Sequence, residues 1–239
     1  MYIFDVREGV AGDMILSALI DTGAVPAEEI SHVLETAARV MDPTAKVIIR
    51  KELAGGDSGT SLSVLHWKFD EVSARSMQRH LNMAIKELML QKIRWTTAAI
   101  LDTILNAESE VHNVPVDELH LHETGSPDTL VDIIGVCHML DKLGAEFTAT
   151  PVAVGKGRVK IEHGTFDVPP PATAIMLKEM QWSKGPFDGE MATPTGVAIL
   201  KNVIKGHVRE IDPRAVKIGT GFGSKTYSGK RTAVRLYRV

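Results

Sequence analysis

Cysteine is almost missing from this chain: Cys137 is the only one among 239 residues. An internal disulfide framework is therefore excluded, as is any zinc or iron–sulfur centre built on several thiolates. Aromatic residues are scarce at 5%, too few for base-stacking platforms to be the main theme. Neither sign of charge dominates. Lys and Arg number 27 against 30 Asp and Glu, so a broad basic face for nucleic acid is not expected. No stretch approaches the roughly 18 apolar residues of a membrane span. No basic start followed by an apolar run marks a secretory leader. The expectation is a cytoplasmic protein that engages neither membrane nor nucleic acid.

What remains is an ordinary globular composition, 44% apolar and 24% charged. Met1–Val6 reads as a strand. A turn over Arg7–Gly12 leads into a helix on which Met14, Ile15, Ala18 and Leu19 recur at helical spacing. Gly23 closes that helix and Pro26 opens a second. Strands over Val47–Leu53 and Thr60–Phe69 flank a turn at Ala54–Gly59. Helical stripes follow from Ser73 (Met77, Leu81, Ile85, Leu88) and over Ile100–Val111, and a strongly apolar helix over Asp128–Leu143 ends at Gly144. Beyond it come strands over Phe147–Val154 and Gly157–Glu162, short helices over Ala172–Met180 and Val197–Val203, and closing strands at Val216–Ile218 and Thr232–Tyr237. Without regular β-α-β alternation the expected class is α+β, mixed helices packed on small sheets. The texture changes near Gly144. The chain thus divides into a helix-rich part, 1–144, and a mixed part, 145–239, or forms one continuous domain.

The densest chemistry runs from His120 to Asp132, His120-Leu121-His122-Glu123-Thr124-Gly125-Ser126-Pro127-Asp128-Thr129-Leu130-Val131-Asp132. In extended backbone His120 and His122 share a face. Asp128 and Asp132, four apart on a helix, share another. Imidazoles followed by carboxylates suit a borderline divalent metal such as Ni²⁺, Zn²⁺ or Mn²⁺. Asp132 is the telling member. Flanked by Leu130, Val131, Ile133 and Ile134, its carboxylate needs a cation or several donors. A plainer role stays open: Asp128 as a helix cap and His122 as a hydrogen-bonded structural histidine.

Four further segments carry weaker signals. Asp5-Val6-Arg7-Glu8-Gly9-Val10-Ala11-Gly12-Asp13 is a strand, a glycine turn and a helix start, a cradle for an anion. Its carboxylates would need Mg²⁺ or Mn²⁺ to accept a phosphate; taken alone, the segment reads first as a tight strand-to-helix turn with Asp13 in the helix's first turn. Glu190-Met191-Ala192-Thr193-Pro194-Thr195-Gly196 sets two hydroxyls before a helix, for an anion or an ordinary cap. His163-Gly164, with Pro169-Pro170-Pro171-Ala172-Thr173, is a lone histidine before a helix. Gly219-Thr220-Gly221-Phe222-Gly223 is glycine-rich but lacks dinucleotide and P-loop spacing.

Taken together these motifs resemble one family. Phe4-Asp5 with Gly9 and Gly12-Asp13-Met14 looks like its N-terminal signature. His120-Leu121-His122-Glu123 with Gly125, Asp128 and Val131-Asp132-Ile133 resembles its most distinctive block. His163-Gly164 with Val168-Pro169 and Pro171-Ala172-Thr173 resembles a third. Glu190 with Thr193-Pro194-Thr195-Gly196 resembles a fourth, and Gly219 with Gly221-Phe222-Gly223 a fifth. The family is the LarC type, the nickel-insertion proteins of the lactate racemase system. The resemblance implies a chelatase, or cyclometallase. It would place Ni²⁺ into a pyridinium bisthiocarboxylate mononucleotide, where the metal bonds one carbon and two sulfurs, with CTP and Mg²⁺ or Mn²⁺.

On that resemblance His120, His122 and Glu123 hold or relay nickel as the catalytic group. Asp128, Asp132 and Asp13 orient them or hold a second divalent ion. Gly9, Gly12, Thr193, Thr195 and Gly196 receive the nucleotide's phosphate. This chain departs from the pattern in three ways: Val6 stands where many relatives have cysteine, a histidine-rich tract is absent, and Pro127 interrupts the main block. Full-length relatives carry a further CTP-associated C-terminal domain. The expectation is therefore a nickel-handling N-terminal half completed by a separate chain, with a homo-oligomer left open. Two other classes stay in view: a non-catalytic nickel- or nucleotide-binding assembly subunit, and a Mg²⁺-dependent phosphate-ester enzyme acting through Asp5 and Asp13.

Overall fold

The computed structural model describes the whole chain except Asp70, Glu162 and His163, with Ile161 described in its backbone only. The strand expected to reach Glu162 therefore ends, and the candidate His163 lies, outside the described residues.

The frame is a seven-stranded mixed sheet. Its strands are β1 (Tyr2–Asp5), β2 (Lys46–Ala54), β3 (Asp57–Leu65), β4 (Phe147–Ala149), β5 (Ile204–His207), β6 (Val216–Tyr227) and β7 (Lys230–Arg238), in the order β5-β4-β1-β7-β6-β3-β2. β1 pairs parallel with β4 and antiparallel with β7. β6 runs antiparallel to β7 and parallel to β3, and β2–β3 is an antiparallel hairpin. Strands from both sides of Gly144 thus share one sheet. Small two-stranded pairings stand apart from it, among them Val72–Ser73 with His120–Leu121 and Gly155–Lys156 with Gly189–Glu190. With seven α-helices among the described residues, the chain is α+β, as its unalternating pattern predicts.

The helices are α1 (Gly12–Asp21), α2 (Ala27–Arg39), α3 (Ala74–Glu87), α4 (Arg94–His112), α5 (Pro127–Leu143), α6 (Pro171–Leu177) and α7 (Pro194–Val203). α2 is amphipathic: Ile30, Val33, Leu34 and Ala37 fall on one stripe and are buried. α5 is different, with Thr129 to Met139 buried all round, because it packs against α1 and α2 on one side and α4 and α7 on another. It stops at Gly144 in the left-handed conformation (φ 58°), the helix-ending signal read from the sequence. Cys137 is buried in this helix, where burial pushes its thiol up to about 12, consistent with core filling.

Several boundaries differ from expectation for local reasons. The β2–β3 turn needs only Gly55-Gly56, both at positive φ, so β3 starts at Asp57. The strand expected over Phe147–Val154 breaks after Ala149, where Pro151 offers no N–H to a ladder. α7 starts at Pro194 rather than Val197, because proline suits the first helical position and the Thr193 hydroxyl accepts the Gly196 N–H at 3.3 Å.

The largest difference concerns Gly219–Gly223. This segment is not a phosphate loop; it is the buried middle of β6, with helix α1 lying directly on it. A Cβ on Gly221 would stand 2.0 Å from the Met14 carbonyl oxygen, and one on Gly219 would stand 2.1 Å from that of Ala18. The glycines let helix backbone approach strand backbone. Gly221→Ala is expected to destabilise the fold by about 2–3 kcal/mol, the scale of an overpacked core. Gly229→Asn, in an open left-handed turn (φ 78°), should leave stability nearly unchanged. Urea denaturation of both variants tests this; equal midpoints would refute it.

Candidate functional site

Three helix starts meet beside the sheet. After β1 the chain turns at Gly9, whose φ of 101° suits glycine, and Val10 pairs with Ala192. The Val10 N–H donates to the Met191 carbonyl at 2.7 Å, and the Thr193 N–H donates to the Val10 carbonyl at 2.9 Å. These bonds lock the start of α1 to the start of α7. Gly196 completes the contact, since a Cβ there would stand 2.7 Å from the Ala11 Cα. The third start is that of α5. Its Asp132 lies against the Gly12 backbone so closely that a Cβ on Gly12 would meet the carboxylate oxygen at 2.2 Å.

A cavity of about 600 Å³ opens at this junction. Of the expected residues, Gly12, Asp13, Asp128 and Asp132 line it, as do His122 and Glu123, and Thr193 and Thr195. Asp13 accepts the N–H of Met14 at 2.8 Å. Asp128 faces His66 Nε2 at 2.7 Å. Asp132, 7% exposed, has no hydrogen bond or ion pair among the described residues. The Thr124 hydroxyl in the same cavity is buried and likewise lacks a partner.

The cavity also contains groups the motif reading missed. His66 and Lys68 come from the segment after β3, and Lys225 and Tyr227 from the end of β6. Lys225 Nζ donates to the Glu190 carboxylate at 3.2 Å, and the Tyr227 hydroxyl donates to the Glu190 carbonyl. Lys225 follows the glycine-rich segment by two residues, the one sequence signal that placed a cation near it.

A second cavity, of about 500 Å³, shares the His122, Glu123 and Glu190 wall. His120 lines only this one, as do Glu108 and His112 of α4. His120 Nδ1 lies 3.5 Å and His122 Nε2 4.0 Å from opposite oxygens of Glu71, so the two imidazoles reach one carboxylate. The expected metal set is thus distributed over two compartments joined at His122 and Glu123. Gly9 and Gly196 shape the turn and the helix junction and line neither cavity. Asp5 is committed elsewhere: Arg7 grips it bidentately at 2.7 and 2.8 Å. Burial pushes the Asp5 carboxyl up, but Arg7 outweighs this and holds it below the usual range. Asp5 and Asp13 therefore do not form one carboxylate pair in this cavity. Among the described residues, no three His, Cys, Asp or Glu side chains already stand where together they hold an ion.

The cavity electrostatics are dominated by acids. Burial pushes Asp13 up to about 6, an effect that the Met14 N–H partly offsets and Asp128 adds to. Burial, then Asp13 and Asp128, raises Asp132 well above the ordinary carboxylate value. In the second cavity, burial and then Glu123 raise Glu108 to about 6, with His122 pulling the other way. Above the ordinary value of 3.8, the unfolded chain has released protons that folded Asp13 and Asp132 still hold. Stability therefore falls as pH rises through that value toward about 6 and beyond. Asp132→Asn is expected to raise the melting temperature of the metal-free protein at neutral pH, with the gain closing toward pH ~4. Thermal unfolding in chelator at both pH values checks this; a variant less stable than wild type at neutral pH would refute it.

Comparison with known proteins agrees with the motif resemblance. The model of a family described as nickel insertion protein matches residues 2–238. A relative from Dictyoglomus thermophilum is 35% identical over 227 residues, 94% of this chain and 57% of its own. A Staphylococcus saprophyticus protein named pyridinium-3,5-bisthiocarboxylic acid mononucleotide nickel insertion protein is 30% identical over 93% of this chain and 56% of its own. One of the same name from Staphylococcus epidermidis is 31% identical over 94% of this chain and 55% of its own. The chain spans a little over half the length of these curated relatives. No solved structure matches it. The match over nearly the whole chain places it in the nickel insertion protein family.

Proposed function

We propose that this chain is the nickel-handling half of a nickel-insertion system whose substrate is a pyridinium bisthiocarboxylate mononucleotide. The supporting observation is the shared wall: His122 and Glu123 border both cavities, one lined also by His120 and the other large enough for a nucleotide. Nickel enters through the smaller cavity, is held by His120, His122 and Glu123, and meets the nucleotide at the wall. Few protein ligands suit this task. A metal that must be handed on is better held by two or three exchangeable N and O donors than by a closed cage. The nucleotide lies in the larger cavity with its phosphate toward the α7 start, where Thr195 offers its hydroxyl and backbone N–H, and toward Lys225.

Insertion breaks the pyridinium C–H bond as the carbon–nickel bond forms, with the proton passing to a neutral imidazole or a carboxylate at the wall. CTP chemistry is assigned on this reading to the part of the longer relatives that this chain does not span. Nickel binding is expected to weaken at least tenfold in a His120→Ala, His122→Ala double variant, read by equilibrium dialysis. Wild-type affinity in that variant would overturn the metal role. Purified chain with nickel, CTP and the unmetallated nucleotide then separates the alternatives. Conversion only after adding the missing part supports an enzyme half; binding without conversion in either case makes the chain an assembly subunit.

A further inference from the structure

The smaller cavity holds ligand chemistry that the nickel reading above does not use. Three of the chain's nine histidines, His112, His120 and His122, line it. No lysine or arginine lines it among the described residues, and Phe166 and Ile175 make part of its wall apolar. Its carboxylates are unevenly neutralised. Lys178 Nζ donates to Glu110 at 3.0 Å and Lys225 Nζ to Glu190 at 3.2 Å, both lysines lying outside this cavity. Glu108 instead faces an imidazole, its Oε2 lying 3.7 Å from His112 Nε2. The two residues stand one turn apart on α4, so the helix presents them side by side. Atoms bound about 2.1 Å from one metal ion lie roughly 3–3.4 Å from each other. Glu108 and His112 are therefore close to the spacing of two ligands on a single ion. The charged groups that act on Glu108 are Glu123 and His122, which puts the pair beside the nickel ligands proposed above. Imidazole with carboxylate is a donor set that suits nickel.

We propose that Glu108 and His112 ligate nickel from α4, adding a rigid helix-borne half to a site whose other donors, His120, His122 and Glu123, come from a short strand and the bend after it. Glu108 and His112 line only the smaller cavity, so they keep their hold on the ion while His122 and Glu123, on the shared wall, give way to the nucleotide. The proposal rests on the nickel reading, but neither residue belongs to a motif that suggested it. Equilibrium dialysis with Ni²⁺ should show at least tenfold weaker binding in Glu108→Gln and in His112→Gln, with circular dichroism showing the fold retained. Co²⁺, whose visible absorption reports its ligands, should give a changed spectrum in both variants. Glu110→Gln removes the same charge from the same cavity and should keep wild-type affinity. Wild-type Ni²⁺ affinity with an unchanged Co²⁺ spectrum in His112→Gln would make the pair a helix-end ion pair only and overturn the proposal. Equal weakening by Glu110→Gln would reduce Glu108 to a source of charge and overturn it too. A readout on wild type covers a variant that fails to fold: the His112 imidazole N–H should be contact-shifted in the magnetic resonance spectrum of the Co²⁺-loaded chain, and an unshifted signal would refute its ligation. A chain that binds no Ni²⁺ at all refutes the function proposed above. Loss of binding confined to the His120→Ala, His122→Ala variant keeps that function and removes this pair.

Discussion

Helix α1 lies where it does because strand β6 presents no side chains beneath it at Gly219 and Gly221. This backbone-on-backbone contact sets the depth of the helix in the molecule, and much else follows from that depth. It brings the first turn of α1 level with the start of α7, where the Val10, Met191 and Thr193 backbone bonds join them. It also lays Gly12 on Asp132 of α5. A side chain at any of these glycines would open the junction by more than packed backbone tolerates.

The junction gathers opposite tendencies. Helix starts favour negative charge, and Asp13 and Thr195 stand at two of them. Burial disfavours the same charge, and Asp132 receives no donor to compensate. The result is an acidic cavity with a cationic rim at Lys68 and Lys225. A neighbouring compartment is richer in imidazole. The two compartments differ in donor character and join at His122 and Glu123.

Much of the architecture was legible from local chemistry. α2 showed its buried stripe, α5 its continuous apolar run and its Gly144 stop, and Pro194 with Thr193 marked a helix start, though three residues earlier than its apolar pattern implied. The misread element was β6. Glycines that admit a helix across a strand look, in one dimension, like glycines in a loop, because the atoms they make room for belong to residues some two hundred positions away. The site was legible in the same uneven way. Asp132 declared itself by standing among Leu130, Val131, Ile133 and Ile134, where its burial without a partner was readable as a need for a cation or donors.

The sequence alone determined which groups are available: two imidazoles two apart, carboxylates four apart on an apolar helix, hydroxyls on either side of Pro194, and a single thiol. These depend on side-chain type and on the fixed periods of strand and helix. Only the tertiary structure decided how they divide. It sent Asp128 to His66 and His120 to the smaller cavity, and it brought Lys225 and Glu190 in from distant strands. Cavity membership is set by how helices and sheet pack across long sequence separations, which no local period encodes.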